Sequence, residues 1–170
     1  MADLPRIWTE LGIPADYAIT RGLPLQAETT ELVSIGPDHQ DRDCQLAPGA
    51  AQAWRAMRAA AMAAGITLQP VSGFRSIGRQ AELIRHKLAR GVRLDEILRT
   101  NAAPGCSEHH SGRALDLTDG VAPPLSEAFG DTRAFAWLTC HATRFGFRLS
   151  YPRDNPLGVV YEPWHWCWLE

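Results

Sequence analysis

The chain of 170 residues has little to tie it to a nucleic acid, a bilayer or a cysteine metal cage. Seventeen basic against 19 acidic residues leave a formal charge of −2. That balance gives no electrostatic reason to expect nucleic acid or an anionic membrane as a partner. No apolar run approaches the ~20 residues that span a bilayer. The start, MADLPRIWTELGIP, lacks the basic residues, apolar stretch and small-residue cleavage site of a secretory signal. The expected compartment is therefore the cytoplasm, or the periplasm if the start is misassigned or a leader has been removed. Cys44, Cys106, Cys140 and Cys167 form no Cys-x-x-Cys pair. They resemble neither a zinc ribbon nor a dense disulfide framework; the four are read as buried free thiols, with two bridges left open should the protein meet an oxidising compartment. Internal repeats and low-complexity segments are missing too.

What is present is 45% hydrophobic residues, enough for one globular domain with its own core. Residues 1–45 read as an irregular lead-in packed on the domain, with one short helix near PRIWTELG; the domain proper runs from 46 to 170. Ala50, Ala53, Trp54, Met57, Ala60, Ala61 and Ala64 recur at helical spacing, and Gly65 closes that helix. ITLQPVSGF reads as a strand. Ser76 caps a helix with Ile77, Ala81, Ile84 and Leu88 on one face, and LDEILRT forms a short helix after it. RALDLT alternates as a strand, Asp131 or Thr132 caps a third long helix, and FRLSY and GVVYEPWHWCW supply two last strands. Helices first and strands late imply an α+β fold, a mainly antiparallel sheet flanked by helices.

The chemistry gathers in CSEHHSGRALDLTDG, residues 106–120. Asp116 lies between two leucines, and a carboxylate turned inward from a strand is costly without a cation or several donors. Zinc meets that need, since zinc hydrolases take three protein ligands and leave one position open. His109, His110 and the distant His165 are candidates for the other two, and Gly112 allows a tight turn between a histidine and the strand. In YEPWHWCW, Trp164, Trp166 and Trp168 share one face of a strand, leaving His165 and Cys167 on the other. Glu162, before Pro163, is biased towards extended backbone. Three residues from His165, it is near enough to share the site without sharing the metal, as a general base for hydrolysis must be. Each histidine alone is an ordinary structural residue; the two separated patterns together carry the reading.

SEHHSGRALD resembles the Ser-x-His-x-x-Gly-x-Ala-x-Asp signature of the LAS metallopeptidases, named for lysostaphin, D-Ala-D-Ala metallopeptidases and sonic hedgehog. EPWHW resembles their second signature, Glu-x-x-His. SGFRS followed by Gln80, then FGDTRAFAWL, RFGFRLSYP and YEPWHW are similar, in that order, to the VanY-type D-alanyl-D-alanine carboxypeptidases. The likeness covers roughly residues 46–168 and leaves the first 45 unexplained. It implies the LAS fold and one zinc ion per chain held by His109, Asp116 and His165, with His110 a bystander lining the cleft. Glu162 takes the position of the catalytic base and Arg75 that of the arginine over the scissile carbonyl. Ser107 and Gln80 fall near the substrate. Tyr151 is a further candidate for the donor-lined pocket end that a free carboxylate requires. Phe74 stands where the family often has tyrosine and Cys106 precedes the signature serine; neither is a ligand position.

The implied activity is zinc-dependent removal of the terminal D-alanine of peptidoglycan peptides, with the stem peptide or its precursor as partner. A D,D-dipeptidase, an L,D-carboxypeptidase and a peptidoglycan endopeptidase share the fold and stay open. So does a zinc-containing binding module without catalysis, against which Glu162 and Arg75 beside a full ligand set argue.

Overall fold

In the computed structural model, which describes residues 3–169, residues 3–45 are more ordered than the expected lead-in. Helices α1 (Leu4–Leu11) and α2 (Tyr17–Arg21) precede a hairpin of β1 (Val33–Pro37) and β2 (Asp43–Leu46). Gly36, Pro37 and the polar run DHQDRD hide this hairpin in the sequence, because they read as a loop. Asp38 organises its turn, accepting from the backbone N–H groups of Gln40 and Arg42 at 2.7 and 3.0 Å.

The alanine stripe forms α3 (Pro48–Ala63), and Gly65 follows at φ +70°. Strand β3 (Gln69–Ser72) leads to α4 (Ile77–Ala89), where Ser76 Oγ caps by accepting from Arg79 N–H at 3.0 Å. The chain continues through α5 (Leu94–Thr100), β4 (Ala114–Thr118), α6 (Arg133–His141), β5 (Phe147–Leu149) and β6 (His165–Trp168). Thr132, rather than Asp131, caps α6.

The four-stranded sheet has the order β3-β4-β6-β5 with every neighbouring pair antiparallel, which is the expected α+β architecture. Strand β6 is shorter than the sequence pattern suggests. Pro163 has no N–H to give a ladder, so residues 158–164 form loop and turn and only His165 onward pairs. Trp166 is buried in the core as its strand face implies, whereas Trp164 precedes the strand and also reaches the pocket.

Two apolar cores hold the molecule. One packs α3 and α6 on the sheet through Trp54, Met57, Leu115, Leu117, Leu138 and Trp166. The other joins α1 and α2 to α4 and α5 through Trp8, Leu11, Tyr17, Ile84 and Ile97. Each such aliphatic side chain contributes ~1.5–3 kcal/mol on burial. Cys44, Cys106 and Cys167 are buried, Cys140 is exposed. Among the described residues no helix is long and apolar enough to cross a membrane.

Candidate metal centre

A 3-10 turn (Glu108–Ser111) carries His109 and ends at Gly112, whose φ is +68°. A Cβ there would come within 2.8 Å of the Ala47 backbone nitrogen, so both conformation and space call for glycine. The chain then enters β4. Its register pairs Asp116 directly with His165 of β6, and the two side chains share a face. Leu115 and Leu117 point into the core on the other face. Residues 49 positions apart in sequence thereby become neighbours.

His109 Nε2 lies 3.2 Å from Asp116 Oδ2 and His165 Nδ1 lies 2.9 Å from Asp116 Oδ1. One ligand atom from each of the three falls within 4.8 Å of the others, and all three residues are buried. The remaining ring nitrogens are committed elsewhere. His109 Nδ1 donates to the Gly73 carbonyl at 2.6 Å, which fixes Nε2 as its free lone pair. His165 Nε2 donates to Glu108 Oε2 at 2.9 Å, which turns Nδ1 to the centre. Glu108 is itself held by Ser150 Oγ at 2.5 Å and Arg148 at 3.1 Å.

Electrostatics agree. Burial opposes charge on Asp116, but the two imidazoles outweigh it and hold the carboxyl well below the usual range. Burial likewise opposes a proton on His165, yet Asp116 and Glu108 push its pKa up to about 10. His109, buried and next to Arg75, is pushed down. Without metal, then, His165 carries a proton that a cation must displace. Two imidazole nitrogens and one carboxylate oxygen, convergent, buried and backed by a second carboxylate, fit zinc.

The ligands open on a cavity of about 370 Å³ that Arg75, Ser107, Tyr151 and Glu162 also line. Glu162 is buried with its Oε2 3.9 Å from His165 Nδ1, beyond hydrogen-bonding distance. Burial, with Asp116, raises it to about 7 against the pull of His165. Arg75 is half-buried, and its buried Nε has no partner. The Tyr151 ring lies 4.9 Å from that of His165. Gln80 falls outside the cavity lining: it is fully buried and donates to the Ala102 carbonyl at 2.6 Å.

His110 does not line the cleft as expected. It is fully buried, its Nδ1 donating to the Arg75 carbonyl at 2.6 Å and its Nε2 accepting from Gly105 N–H at 3.1 Å. Both nitrogens hold backbone, so His110 is a strut under Arg75. Glu108, Lys87 and Asn101 are the residues that sequence reading missed. Only Glu108 gave a signal there, as the neighbour of a ligand.

Residues 43–170 match the family described as VanY, D-alanyl-D-alanine carboxypeptidase. YodJ of Bacillus subtilis (strain 168) is 36% identical over 120 residues, a match covering 68% of this chain and 43% of YodJ. The chain thus spans less than half the length of that relative. The bifunctional D-Ala-D-Ala dipeptidase and carboxypeptidase VanXYC of Enterococcus gallinarum is 33% identical over 161 residues, 89% of this chain and 81% of VanXYC. The LdcB LD-carboxypeptidase superposes with a TM-score of 0.76 at 30% identity, over 85% of this chain and 71% of LdcB. A vancomycin-resistance D,D-pentapeptidase VanY, solved in complex with Zn(II), gives 0.62 at 25% identity, over 93% and 83%. With the ligand set, the flanking glutamate and the fold in agreement, the chain belongs to the VanY family of LAS-type zinc peptidases.

Proposed function

We propose that the protein is a zinc D,D-carboxypeptidase that removes the terminal D-alanine from peptidoglycan stem peptides or their precursors. The observation that carries this reading is the placement of Glu162 and Arg75 on the cavity into which the metal ligands open. Zinc, when bound by His109, Asp116 and His165, supplies Lewis acidity that acidifies water and polarises a carbonyl. Glu162, on the same cavity and outside the ligand set, would accept a proton from the attacking water and pass it to the leaving amine nitrogen. Arg75 has no acidic partner within 4 Å among the described residues. Its donors are free for the carbonyl oxygen as charge builds there. Burial and the Glu108 and Glu162 carboxylates push the Tyr151 phenol up, so it acts as a neutral donor. Trp164, Val159 and Val160 give the cavity its apolar lining.

The likeness to LdcB favours a second reading, removal of D-alanine from a peptide whose penultimate residue has L configuration. Product analysis separates the two. Zinc-loaded protein is given D-Ala-D-Ala, a pentapeptide ending in D-Ala-D-Ala and a tetrapeptide ending in L-residue–D-Ala. D-Alanine released from the pentapeptide first is the expected result. Glu162→Gln should retain zinc and peptide while hydrolysis falls ~10²–10⁴-fold. Release from the tetrapeptide alone would select the second reading. Zinc and peptide bound with no hydrolysis by the wild type would leave a binding module.

A further inference from the structure

Lys87 is the only lysine among the 17 basic residues of this chain, and it lines the catalytic cavity. It stands in the last turn of α4, facing the end of α5, where its Nζ bonds Asn101 Oδ1. Thr100 Oγ1 bonds the same oxygen. With Oδ1 so occupied, what Asn101 has left to offer is its Nδ2 donor. The cavity therefore has two unlike walls. Asp116 and Glu162 stand with the metal ligands on the sheet side. The helix side presents Lys87, Thr100 and Asn101 and no carboxylate.

Seven of the 16 arginines pair with an acid, namely Arg6, Arg42, Arg79, Arg85, Arg93, Arg148 and Arg153. Arg75 and Lys87, the two cations of the cavity, have no such partner among the described residues. Their places differ. The Arg75 backbone N–H bonds the carbonyl of the ligand His109 at 3.2 Å, whereas Lys87 is tied to Asn101 at the end of α5. Both line the same cavity, Arg75 beside the metal ligands and Lys87 on the helix wall. Burial and Arg75 hold Lys87 below its ordinary range. A half-buried ammonium beside a second cation is unfavourable unless an anion joins them. In a peptide bound with its scissile carbonyl at Arg75, the leaving nitrogen comes next, then the α-carbon of the last residue, and the carboxylate carbon lies within ~4 Å of the carbonyl carbon.

We propose that Lys87, steadied by Asn101, receives the free C-terminal carboxylate of the substrate and so admits only peptides that end inside the cavity. This rests on the carboxypeptidase reading above and deepens it: the site is built for a chain end, whichever configuration precedes the scissile bond. Lysine suits the task because its ammonium is a compact charge with three rotatable donors, where an arginine fork would demand a fixed geometry.

The test compares an N-acetylated pentapeptide with a free C-terminus against the same peptide as its C-terminal amide. Wild type should favour the free acid, and Lys87→Met should lower kcat/KM for the acid by about 10- to 100-fold, as expected for loss of a bond to a charged group. The preference for acid over amide should collapse with it, while zinc content stays as in wild type. Lys87→Arg, which keeps the charge, should restore part of the preference. The same pair of affinities, measured in a Glu162→Gln background, reads the contact without turnover. A folded, zinc-loaded Lys87→Met protein that still discriminates acid from amide as wild type does overturns the proposal. So does a wild type that cleaves or binds both peptides equally, an outcome that leaves the hydrolase reading standing. No turnover by wild type, with discrimination in binding lost on Lys87→Met, supports the contact and defeats the carboxypeptidase reading instead. Should Lys87→Met not fold, wild type alone decides. An amine-reactive reagent can label only Lys87 and the amino terminus, and the acid peptide, but not the amide, should protect Lys87.

Discussion

Glu162 has to be deprotonated to work, so its environment sets the acid side of the pH profile. Burial and Asp116 raise it to about 7 before a cation enters the site, and a bound dication pulls it back down. The sign follows: kcat/KM should fall as pH drops, with a midpoint between 4.5 and about 7. Zinc content measured at each pH separates loss of base from loss of metal. A rate that stays level below pH 4.5 with zinc in place would remove Glu162 as the base. Glu108 acts one step further out. It holds the Nε2 of His165 and so leaves Nδ1 for the metal. Replacing an outer partner of this kind weakens a metal site ~10–100-fold. Glu108→Ala should lower zinc affinity by that factor in chelator competition, with little change in secondary structure; unchanged affinity would reduce Glu108 to a salt bridge for Arg148. These two carboxylates differ in how far the sequence revealed them. Glu162 sits at a fixed spacing from His165. Glu108 owes its role to His165 and Ser150, 57 and 42 residues away, and no local pattern carries such a contact.

At the scale of elements, the junction between the 3-10 turn and β4 is the narrowest point of the site. Gly112 there combines a left-handed backbone with a close approach to Ala47, whose N–H donates to the Gly112 carbonyl at 2.8 Å. Alanine would meet both the conformational cost and the clash, about 2–4 kcal/mol together. Gly112→Ala should therefore lower the Tm by about 5–10 °C, and zinc content should fall with it, since His109 and Asp116 flank the junction. Full zinc retention at an unchanged Tm would mean that the turn relaxes freely. The long periodic helices, the caps at Ser76 and Thr132 and strand β4 were legible in the sequence because their signals are local. The β1–β2 hairpin was not, because its Gly-Pro and polar turn resemble a loop. The last strand was read too long because tryptophan alternation outweighed Pro163.

Across the whole molecule the site lies where the two cores meet. The sheet and its core supply the metal ligands, and α4 and α5, packed on α1 and α2, supply Lys87 and Asn101. The metal set was legible because two short motifs carry it. The helix wall was not, since only packing brings α4 and α5 to the cavity. His110 shows the same limit on a smaller scale: beside a ligand it reads as part of the cleft, yet its bonds to Arg75 and Gly105 make it a brace.

The position of β6 has a temporal meaning as well. It pairs between β4 and β5 in the middle of the sheet, yet it is synthesised after every other described element. The third ligand therefore comes from the strand made last, paired beside Asp116. A chain stalled before residue 165 carries the base Glu162 but lacks one of the three ligands of the centre it would serve.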